Sequence, residues 1–367
     1  MSPNSKTRII FLDMMRALAV LMMIQGHTID TFLGDQFRTF DSPIYDVWFT
    51  LRGFTAPIFM FTSGVTFAYL LRSRPESFAE NPRVKKGVHR FIILVLIGYL
   101  LRFPTPRMFD FSEVTHFQWI TFFTVDALHL IGFGILFILC LAYLAEKYKL
   151  SDNLVFSFGA FIFFSIFFVA EKINWANFIP IPFAAYFYQG TGSFFPLFPW
   201  AGYVISGAML GSFLAKNPQA ASSKKLSYNL FGIGAMLILF SASLQVFEDF
   251  LYGQKEFWCD NSALIIYRLG VVLMLNSIMS FIALQLKNIP DIVAQLGKNT
   301  LLLYAVHTII LYGSAWTPGF AMFYPKTLNI PLSIIAALLM IILMFGIVFL
   351  VERLKNYRRR KFVTVEI

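Results

Sequence analysis

Apolar residues run along this chain in long stretches separated by short polar ones, and that alternation decides its class. A bilayer core of about 30 Å is crossed by about 20 mostly apolar residues in helical form. Runs of that kind fall at 9–32, 48–71, 88–103, 117–143, 153–170, 195–215, 227–247, 263–286, 299–316 and 331–351. The third is short, and the fourth is long enough to tilt or to begin as an interfacial helix. The pattern predicts an all-α integral membrane protein, a bundle of about ten transmembrane helices. It forms one polytopic domain over 1–367, with 353–367 as a basic cytoplasmic tail.

The polar stretches test this assignment. Taken alternately from the N-terminus, six of them hold 21 Lys and Arg, whereas the five between hold one each: Arg38, Arg107, Lys172, Lys255 and Lys326. Cytoplasmic loops carry the excess of Lys and Arg, so both termini are expected in the cytoplasm. A missing or surplus helix would break the alternation at that point.

Composition agrees. The chain is 57% hydrophobic and 14% charged, against about 25% charged for soluble domains. The net charge of +10 is spread over short inner loops, which excludes nucleic acid as a partner. Membrane lipids remain as partners, and the NYRRRK run suits anionic headgroups. Cys140 and Cys259 support neither a disulfide framework nor a metal site. The first run continues to about Phe32 and contains Asp13 and Arg16, so it reads as a retained helix rather than a cleaved signal. Among the outer segments, 33–47 is acidic (Asp35, Asp41, Asp46), as is 248–262 (Glu248, Asp249, Glu256, Asp260). Segment 172–200 is aromatic and rich in Pro and Gly, which suits a binding or lid element and an interfacial Tyr/Trp belt equally.

Ionisable groups inside the apolar runs carry the chemistry. A charge at the bilayer centre costs at least ~2.5–3.5 kcal/mol, so such groups face a protein interior or a wet cavity. Arg52 and Arg102 lie near helix ends, where snorkelling is enough to explain them. Deeper are Asp13, Arg16, His27, Asp126, His129, Arg268 and His307. The first helix reads LDMMRALAVLMMIQGHTID from Leu12 to Asp30. At about 100° per residue, Arg16 and His27 differ by only about 20° in azimuth, with Asp13 about 60° to one side and Asp30 about 40° to the other. All four share one face, with Val20 and Met23 between them, and Arg16 and His27 are about 16 Å apart along the axis. Asp13 and Arg16 alone suit an ion pair at a helix entry, and a lone His suits an interhelical hydrogen bond. Asp126 with His129, an i, i+3 pair on the fourth run, and His307 in mid-helix suit either packing or substrate contact.

The D-x-x-R-x10-H arrangement of Asp13, Arg16 and His27 resembles that of membrane acyltransferases that modify sugars and cell-surface glycans, including the sugar O-acyltransferases. The chain is most similar to bacterial relatives of heparan-alpha-glucosaminide N-acetyltransferase. The likeness rests on RIIFLDMMRALAVLMMIQGH, APIFMFTSGVTFAYLL, FPLFPWAGYVISGAMLGSFL and LGKNTLLLYAVHTIIL, in that order along the chain. It implies an acetyl group taken from cytosolic acetyl-CoA, as cosubstrate and without a metal. The acceptor would be a glycan or amino-sugar hydroxyl or amine on the far side of a bacterial inner membrane, with room for a homo-oligomer. His27 matches the family's catalytic histidine and Arg16 its arginine, with Asp13 beside them. In the eukaryotic heparan enzymes the histidine lies beyond the first helix. A histidine is a suitable base for an attacking hydroxyl or amine, and Asp30 is a candidate to orient it. Arg16 and Arg268 suit the phosphates of coenzyme A. Asp30, Arg52, Asp126, His129 and His307 are the candidates for substrate contact. A transporter or flippase would use the same ionisable stripe as a permeation path, and an envelope scaffold would use it as an interface.

Orientation is directly testable. In a chain with Cys140→Ser and Cys259→Ser, single cysteines placed at Tyr148 and Ser222 should react with a membrane-impermeant maleimide only in inverted vesicles. Cysteines at Ser112 and Thr191 should react only in intact cells, and the opposite pattern would overturn the orientation.

Overall fold

The computed structural model describes residues 9–253, 261–286 and 288–363. Lys255, Glu256, Cys259 and Asp260 lie outside those residues, as does the tail beyond Val363. Among the described residues the helices are α1 (Ile10–Phe32), α2 (Pro43–Arg52), α3 (Thr55–Arg72), α4 (Pro82–Leu101), α5 (His116–Phe123), α6 (Ala127–Lys147) and α7 (Asp152–Ala170). They continue with α8 (Ile181–Ala184), α9 (Leu197–Lys216), α10 (Lys224–Tyr252), α11 (Ser262–Gln285), α12 (Asp291–Lys298), α13 (Thr300–Tyr312) and α14 (Ile330–Val363). A two-residue hairpin, β1 (Gly313–Ser314) with β2 (Thr317–Pro318), follows α13.

Among the described residues, eight spans are long and apolar enough to cross a membrane, with Pro43–Arg72 counted as one across the α2–α3 break. The other two expected spans are helical but differ in character. Helix α4 has 20 residues, and its first half carries Arg83, Lys85, Lys86 and Arg90. Helix α13 has 13 residues, about 20 Å of rise against a core of about 30 Å.

The fourth expected run, 117–143, is two helices. Thr115 and Gln118 form a capping box that starts α5, and Asp126 and His129 form a second that starts α6. The break at 124–126 is hidden in sequence because FFTVDALHL stays apolar through it. Asp126 is therefore a cap accepting from the Leu128 and His129 amides, not a residue within one long helix. The backbone of the basic C-terminal run continues α14 to Val363.

Contacts divide the chain into two compact units, one of Met1–Leu12 with Ala56–Leu286 and one of Asp13–Thr55 with Lys287–Ile367. In the larger unit, α3 and α9 approach at backbone distance. A Cβ on Gly64 would lie 1.8 Å from the Val204 carbonyl oxygen, and one on Gly207 would lie 2.0 Å from that of Phe61. Small residues at such crossings let backbones meet where lipid offers no hydrophobic drive. Helices α10 and α11 use the same device, Gly234 and Gly270 each facing the other's carbonyl at 2.8 Å. A Ser227–Ser280 hydrogen bond of 2.9 Å joins them as well.

One end of this unit closes on a charged node. Asp152, at the start of α7, accepts from Arg72 at 2.6 Å, from Ser212 at 2.7 Å and from Lys216 at 2.7 Å. Arg72 also donates to the Ala142 carbonyl at 3.1 Å. Four helices, α3, α6, α7 and α9, thereby meet at one 4% exposed carboxylate. Segment 172–196 folds against the α5–α6 break: the Phe194 amide donates to Val125 O, and the Val125 amide donates to Ser193 Oγ.

The smaller unit contains most of α1, with α2, α12, α13 and α14. Along α14, Ala337, Met340, Met344 and Val348 are buried in one narrow stripe, whereas Leu339, Ile342 and Phe349 are exposed. A helix apolar all round with one packed stripe is a lipid-facing helix.

Two changes test these contacts. Gly207→Leu should lower the melting temperature in detergent, at a cost of at least about 1–3 kcal/mol, the usual range for overpacking. Asp152→Ala removes the closest carboxylate from half-buried Arg72, which keeps Glu146 at 3.8 Å. It should also lower the melting temperature, at a cost of about 1–3 kcal/mol, the usual range for losing a partly buried charged hydrogen bond. A melting temperature unchanged by either substitution would show that the contact carries no stability.

Candidate active site

Helix α1 displays its polar stripe to elements of its own unit. At its first end, a Cβ on Gly297 would lie 3.2 Å from Asp13 O and 3.5 Å from Arg16 Cβ, so the LGKNT turn between α12 and α13 lies directly on the Asp13–Arg16 pair. Farther along, His27 Nδ1 and the Tyr312 hydroxyl share a hydrogen bond of 3.1 Å. The His27 and His307 rings are 5.5 Å apart, centroid to centroid. Helices α1 and α13 therefore run in the same direction, which is why two histidines so distant in sequence meet.

The state of His307 is fixed by its partner. Its Nδ1 lies 2.6 Å from the Leu303 carbonyl oxygen, which can only accept, so Nδ1 carries a proton. In the neutral ring Nε2 is then an acceptor. That atom is buried and has no hydrogen-bond partner among the described residues. Tyr304 packs edge-on against the same ring at 5.9 Å.

Below His27, Asp30 is held by two arginines. Arg38 Nη1 donates to Oδ1 at 3.0 Å, and Arg52 Nη2 donates to Oδ2 at 2.8 Å. Arg38 comes from the loop after α1 and also donates to the Leu33 carbonyl through Nε at 3.1 Å. It thus supplies the cation and donors that the C-terminus of α1 requires, since the last turn of α1 has no basic residue of its own. Arg52 lies over the Trp48 ring at 5.6 Å, and Trp48 Nε1 donates to Gln25 at 3.0 Å. Gly26 makes room for the Arg52 stem, 3.6 Å from where a Cβ would be. Helix α2 is thereby pinned along α1 on both sides of His27.

The remaining candidates belong to the larger unit. His129 Nδ1 lies 2.9 Å from Asp126 Oδ1, and Arg102 Nε lies 3.8 Å from Asp126 Oδ2. The Tyr99 ring packs on His129 at 4.4 Å, and its hydroxyl meets that of Tyr186 at 2.8 Å. His129 is wholly buried, with Nε2 unpartnered among the described residues. Arg268 lies over the Trp200 ring at 5.7 Å.

The structure thus gathers Asp13, Arg16, His27, Asp30, Arg52 and His307 in one unit and Asp126, His129 and Arg268 in the other. Arg52, for which snorkelling was enough, is an ion-pair partner. Tyr312 and Arg38 escaped sequence reasoning. Tyr312 is one of 15 tyrosines without a distinguishing neighbour, and Arg38 counted only as an outer-loop cation. Its place eight residues after an acidic helix end was the available signal.

A family model described as heparan-alpha-glucosaminide N-acetyltransferase, catalytic, matches residues 8–247. The match includes His27 and the whole α1 stripe and ends before Arg268, His307 and Tyr312. No curated protein and no solved structure matches the chain.

The Asp30 cluster makes a testable demand. Asp30→Ala removes the carboxylate that Arg38 and Arg52 share, leaving Arg38 only Asp35 at 3.5 Å, and should destabilise more than Arg38→Gln or Arg52→Gln. A double-mutant cycle of Asp30 with Arg52, measured in mixed micelles, should give a coupling of about 0.5–3 kcal/mol. Strict additivity would show the pair to be energetically idle.

Proposed function

The chain belongs to the heparan-alpha-glucosaminide N-acetyltransferase catalytic family, a transmembrane acetyltransferase family, and from that premise we propose that it transfers an acetyl group from acetyl-CoA to a sugar or amino-sugar. The donor is drawn from the cytosol and the acceptor lies on the opposite face. The observation that carries the proposal is the His27–Tyr312–His307 cluster, in which His27 stands on the helix where the family match begins and the other two on α13.

The chemistry follows from the residues. The acceptor oxygen or nitrogen attacks the thioester carbonyl, the C–S bond breaks, and the acceptor proton must be removed as the new bond forms. His27 takes that proton and returns it to the departing thiolate. Tyr312 holds the imidazole through Nδ1. The acceptor nitrogen of His307, whose ring centroid is 5.5 Å from that of His27, binds a donor group of the acceptor. Asp30 acts through the helix end it anchors, and Arg52 through Asp30. Arg16, with Asp13 beside it, attracts the coenzyme phosphates from the other end of the stripe. Arg268 is a second candidate for a donor contact. Family membership favours transfer, and the transport alternative has no comparable support.

Acetyl-CoA turnover by the purified protein, with and without a panel of sugars, tests this. Sugar-dependent release of coenzyme A should fall by about 10²–10⁴ in His27→Ala, the range for loss of a general base, with the melting temperature kept. Arg16→Ala should weaken donor binding. Tyr312→Phe should lower turnover less than His27→Ala does. A well-folded protein that neither binds nor turns over the donor would refute the proposal.

A further inference from the structure

The larger unit contains a cleft that the acetyl-transfer chemistry does not use. It lies between α7 and α9 on one side and the α10–α11 pair on the other, with a volume of 1180 Å³. That exceeds the roughly 300–1,000 Å³ of sites for drug-sized molecules. Tyr203 donates to the Ile265 carbonyl at 3.0 Å, and Arg268 stacks on Trp200, so α11 is tied to α9 near the start of both helices. The lining continues to the α9–α10 turn, where the exposed Lys216, Asn217, Gln219 and Lys225 stand.

Its walls and its mouth differ in chemistry. Phe164, Met209, Ile233, Leu237 and Leu273 line the walls, whereas Lys216, Asn217, Gln219, Lys225 and Asn229 gather at the turn. On α9 the lining runs from Ser206 to Lys216 and on α10 from Lys225 to Leu237. At 1.5 Å per residue these are about 15 and 18 Å, or half of a bilayer core of about 30 Å. An apolar slot one leaflet deep with its cations at one end is matched in length to acyl chains.

The charges select the headgroup. Lys225 is exposed, and Lys216, 56% exposed, gives one of its three donors to Asp152. Asp152, the carboxylate beside the mouth, is already engaged by Arg72, Ser212 and Lys216. A phosphate would meet two ammonium groups, and hydroxyls on the headgroup would meet the amides. A choline group would add a cation beside two lysines with the adjacent carboxylate already engaged.

We propose that this cleft binds one anionic glycerophospholipid, its acyl chains along the apolar walls and its phosphate at Lys216 and Lys225. The turn that holds the phosphate is one of the basic loops expected at the cytoplasmic leaflet, where anionic lipids attract Lys and Arg. The site is independent of acetyl transfer, because what is read out is bound lipid.

The test is native mass spectrometry of the full chain, delipidated and then offered phosphatidylglycerol or phosphatidylcholine with identical acyl chains. Wild type should retain one phosphatidylglycerol in preference to phosphatidylcholine. Lys225→Gln, which leaves the Asp152 node intact, should weaken that retention by roughly fivefold, the worth of one basic side chain at an anionic surface. Lys216→Gln with Lys225→Gln should abolish the preference. Ile233→Trp, at a 44% exposed wall position, should reduce retention of both lipids with the melting temperature kept. Equal retention of the two lipids by wild type, or wild-type retention by Lys225→Gln and Ile233→Trp, would overturn the proposal.

Discussion

The Asp30 carboxylate, with one oxygen on Arg38 and the other on Arg52, is the contact on which the candidate site depends. An ionised group in a membrane-spanning helix is tolerated only with partners, and these two arginines come from different directions. Arg38 folds the following loop back onto the end of α1 and satisfies its last carbonyls. Arg52 draws α2 alongside α1. His27 stands three residues before this clamp, so its position is set by charge pairing rather than by apolar packing, which in lipid has little directional force.

The larger unit solves the same problem at its own charged point. Asp152 gathers α3, α6, α7 and α9, and the glycines of α3 and α9 remove the side chains that would hold those backbones apart. Charge pairs fix where helix ends meet, and small residues fix how near the helices come. Together they replace the apolar burial that drives soluble folds.

Much of this was legible in sequence because helical hydropathy is a strong signal. The face shared by Asp13, Arg16, His27 and Asp30 follows from the residue period alone, and Gly297, Tyr312, Arg38 and Arg52 are what that face meets. The break before α6 was not legible, because Asp126 sits in apolar surroundings and its role as a cap depends on backbone geometry. The short α13 was also hidden, since apolar composition continues to Trp316 beyond the residue where the helix ends. Tyr312 owes its contact to the parallel run of α1 and α13, a tertiary fact that no local pattern encodes. Arg52 looked like a snorkelling residue because its partner lies 22 positions away on another helix.

The central claim is the proposal that His27 is the base of acetyl transfer. Carbethoxylation of histidines, followed in time by peptide mass spectrometry together with residual acetyl-CoA turnover, tests it on the unmutated protein. Loss of turnover should track modification of His27, and both should slow in the presence of an accepted sugar. Full modification of His27 with turnover retained would contradict the account.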